Sequence, residues 1–215
     1  MLDPGTGSVR RVIALQYNPR ALNRSVQPQW YEPQKEDSPE GGDRQLRFKG
    51  PAVETIKIEA EIDATDKKEA ADSSSKVHEV GIHPELAALE TLVYPTAQDL
   101  NDREAKAKNA FVEIAGLNAL LTVFVWSSSR VVPVQLTDYQ INEQFFDGNL
   151  NPIQAKVSIS MRVLTVDDLG FDHQAGKLFM AYLKKRENLA EMSFRGNNSQ
   201  GGFDSLGISN SRLRV

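Results

Sequence analysis

Leu120-Leu121-Thr122-Val123-Phe124-Val125-Trp126, then Val131 to Phe146, then Ile153 to Val166 decide the reading of this chain. They lie in one stretch from Asn118 to Val166 and read as three consecutive strands. The last alternates cleanly. Ala155, Val157, Ile159, Met161 and Val163 fall on one side, and Lys156, Ser158, Ser160, Arg162 and Leu164 on the other. A period of two marks a strand with one buried face. Ser127-Ser128-Ser129 turns the chain after the first strand, and Asp147-Gly148-Asn149-Leu150-Asn151-Pro152 after the second. Pro133 falls near the start of the second strand, where a missing ladder donor is tolerated. The result is an antiparallel meander, which is not in itself a catalytic motif.

Working outward, Val53 to Ile62 is a second alternator, with Ile56, Ile58, Ala60 and Ile62 on one side and Lys57, Glu59 and Glu61 on the other. Arg44 to Lys49 precedes it as strand. Val9 to Tyr17 is β-prone and stopped by Asn18-Pro19. Pro28 to Asp43 and Ala64 to Val80 read as loops. Pro84 to Tyr94 reads as a helix with proline in its first turn and an apolar stripe of Leu86, Leu89, Leu92 and Val93. Thr96 to Ala110 is polar and fits either a helical turn or a long loop. Gly176 to Met192 reads as a terminal helix. Met1 to Ser8 is expected to be a flexible leader, 9–192 one domain, and 193–215 a flexible tail too poor in apolar residues to fold alone.

The bulk figures narrow the function classes. The 215 residues carry a formal net charge of -4, which argues against a general nucleic-acid surface. There is no cysteine, so disulfides, thiolate metal sites and cysteine nucleophiles are excluded. No secretory signal is apparent at the start. The longest apolar run, about Ala119 to Trp126, is far short of a membrane span. His78, His83 and His173 have no metal-ligand spacing and are expected to be loop or solvated residues. Asp3-Pro4-Gly5-Thr6-Gly7-Ser8 lacks the ending of a phosphate-binding loop. Asp138, Glu143, Asp147, Asp167 and Asp168 are expected at strand ends and turns, and the serine clusters lack a nucleophile elbow. No catalytic, cofactor-binding or metal-binding residue is assigned, and no cofactor is expected. Trp126 is expected as a core anchor. Trp30-Tyr31, beside the proline-rich loop, fits an exposed interface anchor as well as a capped core.

Several segments in order resemble the tube-proximal baseplate proteins of contractile injection systems, the phage-tail-like particles. They are Leu15-Gln16-Tyr17-Asn18-Pro19, Val53 to Asp63, Gly81 to Glu90 followed by Leu92-Val93-Tyr94-Pro95, and the meander with its Val123-Phe124-Val125-Trp126 and its Asp147-to-Ala155 turn. Together they span roughly Val9 to Val166. The chain departs from the family pattern at Ser127, where a glycine is expected, and at Leu150 and Asn151, two extra residues in the turn. No LysM module is apparent.

The resemblance implies a mainly β fold with flanking helices, a phage tail-tube-like two-sheet barrel. It implies a structural subunit, not an enzyme, whose hexameric ring joins the inner tube to the central spike hub. Its partners would be copies of itself, the inner tube protein, the hub and other baseplate proteins, with no nucleic acid and no membrane insertion. It would be a cytoplasmic protein assembled into a particle. Interface positions on this reading are Trp30, Tyr31, Phe194, Phe203, Leu206, Arg212 and Arg214. A monomeric protein-binding module and a carboxylate-based hydrolase stand as the alternatives.

Overall fold

A computed structural model describes residues 1–3, 6–31, 46–64, 80–108 and 119–196. Five strands form one curled antiparallel sheet in the order β1-β2-β5-β4-β3. They are β1 (Leu22–Trp30), β2 (Phe48–Asp63), β3 (Thr122–Ser127), β4 (Arg130–Phe146) and β5 (Pro152–Val163). The helices are α1 (His83–Glu90), α2 (Ala97–Lys108), α3 (Val166–Leu169) and α4 (Gln174–Gly196). The fold is mainly β with a few helices, and the described residues form one sheet.

The meander is present as β3-β4-β5, and the alternators β2 and β5 lie side by side in the middle of the sheet. Their registers explain the pattern. Ile56 sits opposite Met161, Ile58 opposite Ile159, Ala60 opposite Val157 and Ile62 opposite Ala155. All eight are buried, and with Val132, Val134 and Val163 they make the sheet's share of the core. Because successive side chains point to opposite faces, the intervening residues make a polar face. Lys57 lies opposite Ser160, Glu59 opposite Ser158 and Glu61 opposite Lys156.

Helices cover the apolar face. α1 and the residue before it contribute buried Ile82, Leu86 and Leu89, and α4 contributes Ala175, Phe179 and Tyr182. Gly81 makes the entry to α1 possible. Its φ is +59°, and a Cβ there would stand 2.3 Å from the Pro152 carbonyl oxygen. The Ile82 N–H then donates to that same carbonyl at 3.0 Å.

Several expectations need correction. Val9 to Tyr17 is not a strand. Only Val9 forms an isolated bridge, to Leu2. The Gln16 side chain instead holds this segment to the end of β2: its amide donates to the Asp63 carbonyl at 2.7 Å and accepts from the Asp63 N–H at 3.0 Å. The outer strand is β1, which begins after Pro19 and runs into the stretch expected as loop from Pro28. It is polar because it is an edge strand whose residues are mostly exposed, and Pro28 is acceptable on an edge. The opening residues expected as a flexible leader carry defined pairing, with backbone hydrogen bonds between Leu2 and Leu121 of 2.7 and 2.9 Å.

Among the helices, α1 stops at Glu90 rather than Tyr94. The ambiguous stretch after Thr96 is helix α2. Its start has a reciprocal cap: Asp99 accepts from the Thr96 N–H and hydroxyl, and the Asp99 N–H donates to the Thr96 hydroxyl. α4 continues to Gly196, so Phe194 belongs to this helix and not to the tail. Trp126 is not a core anchor: it lies on the edge strand β3 and is 38% exposed. The loop expected over Ala64 to Val80 falls almost wholly outside the described residues, as does most of that over Pro28 to Asp43.

The short α3 carries a pH-dependent element. Thr165 caps it, and Asp168 accepts from the Thr165 N–H at 2.8 Å and from Arg162 at 2.7 Å. Burial alone would raise the Asp168 pKa, but the Arg162 guanidinium and the Thr165 donors together hold it below its ordinary 3.8. A depressed carboxylate stabilises the fold above its ordinary pKa, and that contribution is lost as pH falls through the folded-state value. Asp168→Asn is expected to cost about 1 kcal/mol near neutral pH. Urea titrations of both proteins should show the gap closing below about pH 4. A gap that stays constant into acid would refute the role of the charge.

Candidate interaction surface

The polar face spans β2, β5 and β4. Along it run Lys57, Glu59 and Glu61 of β2, Lys156, Ser158, Ser160 and Arg162 of β5, and Asp138, Gln140 and Asn142 of β4, strand against strand. Cations and anions are interspersed, and Glu61 faces Lys156 directly, the favourable cross-strand arrangement. A groove of about 980 Å³ is lined by residues between Tyr17 and Asn23 and by Glu59, Glu61, Lys156 and Asn142 of the polar face.

Among the described residues the sheet has two edge strands, β1 and β3, the latter bridged just before its start where Leu2 pairs with Leu121. Each of the four pairings is antiparallel, so β1 and β3 point the same way. At one end of the β1 edge, Trp30 stacks on Phe48 with ring centroids 4.5 Å apart and planes 19° apart. Trp30, Tyr31 and Phe48 are all exposed. The capped-core reading of Trp30-Tyr31 does not hold, since both side chains are exposed. The remaining expected interface residues are not brought to this point. Phe194 is in the last turn of α4, and Phe203, Leu206, Arg212 and Arg214 lie outside the described residues.

Behind the β1 edge lies an ionic cluster. Glu54 is 4% exposed. Its carboxylate accepts from the Tyr182 hydroxyl at 3.2 Å and pairs with Arg24 at 3.1 Å and with Arg186 at 3.4 Å. The Arg186 guanidinium lies 5.5 Å from the centre of the Tyr182 ring. Burial, and then the Glu54 charge, raise the Tyr182 pKa and keep the phenol a donor. The cluster clamps β1, β2 and α4 together. No expectation named it, although a signal existed: Glu54 falls in phase with Ile56, Ile58, Ala60 and Ile62. A charge in the buried phase of a strand calls for buried partners.

Among the described residues no group of three His, Cys, Asp or Glu is placed to hold a metal ion. His173 accepts from the Ala175 N–H at 3.1 Å, at the start of α4. His78 is outside the described residues. On β4, burial and then the Glu90 carboxylate push the Tyr139 phenol up to about 12, so it stays protonated. No described helix is long and apolar enough to cross a membrane. No protein-family model matches the chain, and no curated protein matches it significantly.

Proposed function

We propose that this chain is a structural ring subunit of a contractile injection particle, joining the inner tube to the central spike hub. The observation that carries this reading is the division of one curled sheet into a helix-covered apolar face and a mixed-charge polar face, bounded by two edge strands. Open edges are a liability unless covered or paired. Since β1 and β3 run in the same direction, a rotationally symmetric ring can join each β3 to the next copy's β1 as a parallel pair. The polar face then lines a hydrated lumen.

On this reading the sheet is one wall of a tail-tube-like two-sheet barrel, and the ring holds six copies. Trp30 and Tyr31 anchor a neighbouring subunit, and Phe194, Phe203, Leu206, Arg212 and Arg214 meet the tube, the hub or another baseplate protein. The subunit assembles in the cytoplasm as part of the particle. The resemblance across Val9 to Val166 supplies the specific identity. Deleting the gene and purifying particles tests it: tubes detached from spikes are expected, and normal tubes joined to a spike without this chain would refute the placement.

The exposed Trp30–Phe48 stack favours a second reading, a monomeric binding module. Native mass spectrometry with the tube and hub proteins present separates the two, because only the ring reading predicts a multimer there.

A further inference from the structure

The β4–β5 turn presents three large apolar side chains to solvent: Phe145 is 70% exposed, Phe146 50% and Leu150 78%. Two of them sit in strained backbone, Phe145 at φ 53° and Leu150 at φ 64°. A bulky residue in this region is a true outlier, costing on the order of 1–3 kcal/mol. The turn between them is held tightly. Asp147 Oδ1 accepts from the Asn149 and Asn151 N–H groups, each at 2.8 Å, and Oδ2 accepts from the Asn151 side-chain amide at 2.9 Å. The Leu150 N–H donates to the Asp147 carbonyl at 3.0 Å. Strain on a braced turn that ends in exposed apolar groups is a rigid knob.

The same molecule carries an apolar cavity of about 680 Å³, lined by Leu2, Val12, Leu89, Leu92, Phe124 and Leu178 among others. That is far more than the ~30 Å³ share of one water molecule, and a lining of this kind offers ordered water few partners. Leu136 of β4 also lines it. Phe145 lies nine residues further along that strand, and six beyond Tyr139, the partner of cavity-lining Ile159, so about 20–30 Å of strand separates it from the cavity. A copy's own knob therefore cannot fill its own cavity.

We propose that the Phe145-Phe146-Leu150 knob of one copy seats in this cavity on a second copy, a head-to-tail contact. Charge favours the match: Arg11 lines the cavity, while exposed Glu143 of β4 and Asp147 flank the knob. The contact is heterologous, since each copy keeps one knob and one cavity, so it repeats until it closes or runs on. It does not depend on the ring reading and does not use β1, although side chains of β3 from Thr122 to Trp126 line part of the cavity.

The cysteine-free chain makes the test direct. Leu150→Cys protein is mixed with Val12→Cys protein, oxidised, and run on a non-reducing gel. Holding two thiols together raises their effective concentration, so the mixture is expected to yield about tenfold or more disulfide dimer than either variant alone. Adding Phe145→Ser and Phe146→Ser to the Leu150→Cys protein should abolish the excess while the far-ultraviolet circular dichroism stays unchanged. If the serine changes disturb the fold, Val12→Glu on the cavity side, paired with Leu92→Cys as the reporter, gives the same readout. No excess dimer in the mixture, or an excess that survives both the knob and the cavity changes, would overturn the proposal.

Discussion

Replacing Arg24 and Arg186 together with alanine is expected to destabilise the fold by about 3–5 kcal/mol. The change strands the Glu54 carboxylate, which is 4% exposed, with only the Tyr182 hydroxyl as donor. An uncompensated buried charge is among the costliest defects a single site can carry. Removing the other side of the cluster is milder. The two arginine side chains are 30% and 41% exposed, so after Glu54→Gln they turn toward water, and the loss should be nearer 1–2 kcal/mol. Removing all three charges, with Glu54→Leu added to the two alanines, should recover much of the loss, because a packed apolar replacement can match a buried ion pair. Urea unfolding of the three variants orders them. Should the double arginine variant prove no less stable than Glu54→Gln, the cluster is not the clamp described above.

That cluster also marks where the sequence stops being legible. β2, β4 and β5 were readable because each buries one face, and burial imposes a period of two on residues such as Ile56-Ile58-Ala60-Ile62. β1 was not. An edge strand exposed on most of its length leaves no apolar rhythm, and Leu22 to Trp30 reads as polar linker interrupted by Pro28. Val9 to Tyr17 failed in the opposite sense. Its apolar residues imitate a strand, but Ile13 and Leu15 pack on the core from a segment fastened by the Gln16 amide. Trp126 misled for a related reason: it neighbours Phe124, which packs on the core, but sits near the end of the edge strand β3 and stays exposed.

The candidate surface was legible only where one residue type speaks alone. Adjacent aromatics beside a proline-rich stretch pointed to Trp30 and Tyr31. The partner of Trp30, Phe48, is eighteen positions away and meets it only through the β1–β2 register. Arg24, Glu54 and the Tyr182–Arg186 pair come from three elements, and only Tyr182 and Arg186, four apart on α4, are joined by local spacing. The knob had a local signal, two consecutive phenylalanines that break the alternation of β4 at a turn. Its strained conformation is a property of the folded backbone.

Ile159→Ala is expected to cost on the order of 2–5 kcal/mol, whereas Lys156→Ala, three positions earlier on the same strand, should stay within about 0.5 kcal/mol. Ile159 is buried between Ile58 on β2 and Tyr139 on β4, so truncation opens a cavity at the centre of the sheet that flanking backbone cannot close. Ile56→Ala should fall in the same range, since its side chain has no exposed surface and sits opposite Met161. Lys156 points to the polar face, and its loss removes only a solvent-exposed partner of Glu61. The comparison tests the register and not just the presence of a strand. A one-residue slip of β5 against β2 would carry Ala155, Val157, Ile159 and Met161 to the polar face and Lys156, Ser158, Ser160 and Arg162 into the core. The folded chain tolerates one of these arrangements and not the other. Thermal or urea unfolding of Ile56→Ala, Ile159→Ala, Lys57→Ala and Lys156→Ala should therefore divide the four into two costly and two nearly silent changes. Comparable losses at all four would mean that the sheet does not have an apolar and a polar face, and the proposed lumen-facing wall would lose its physical basis with it.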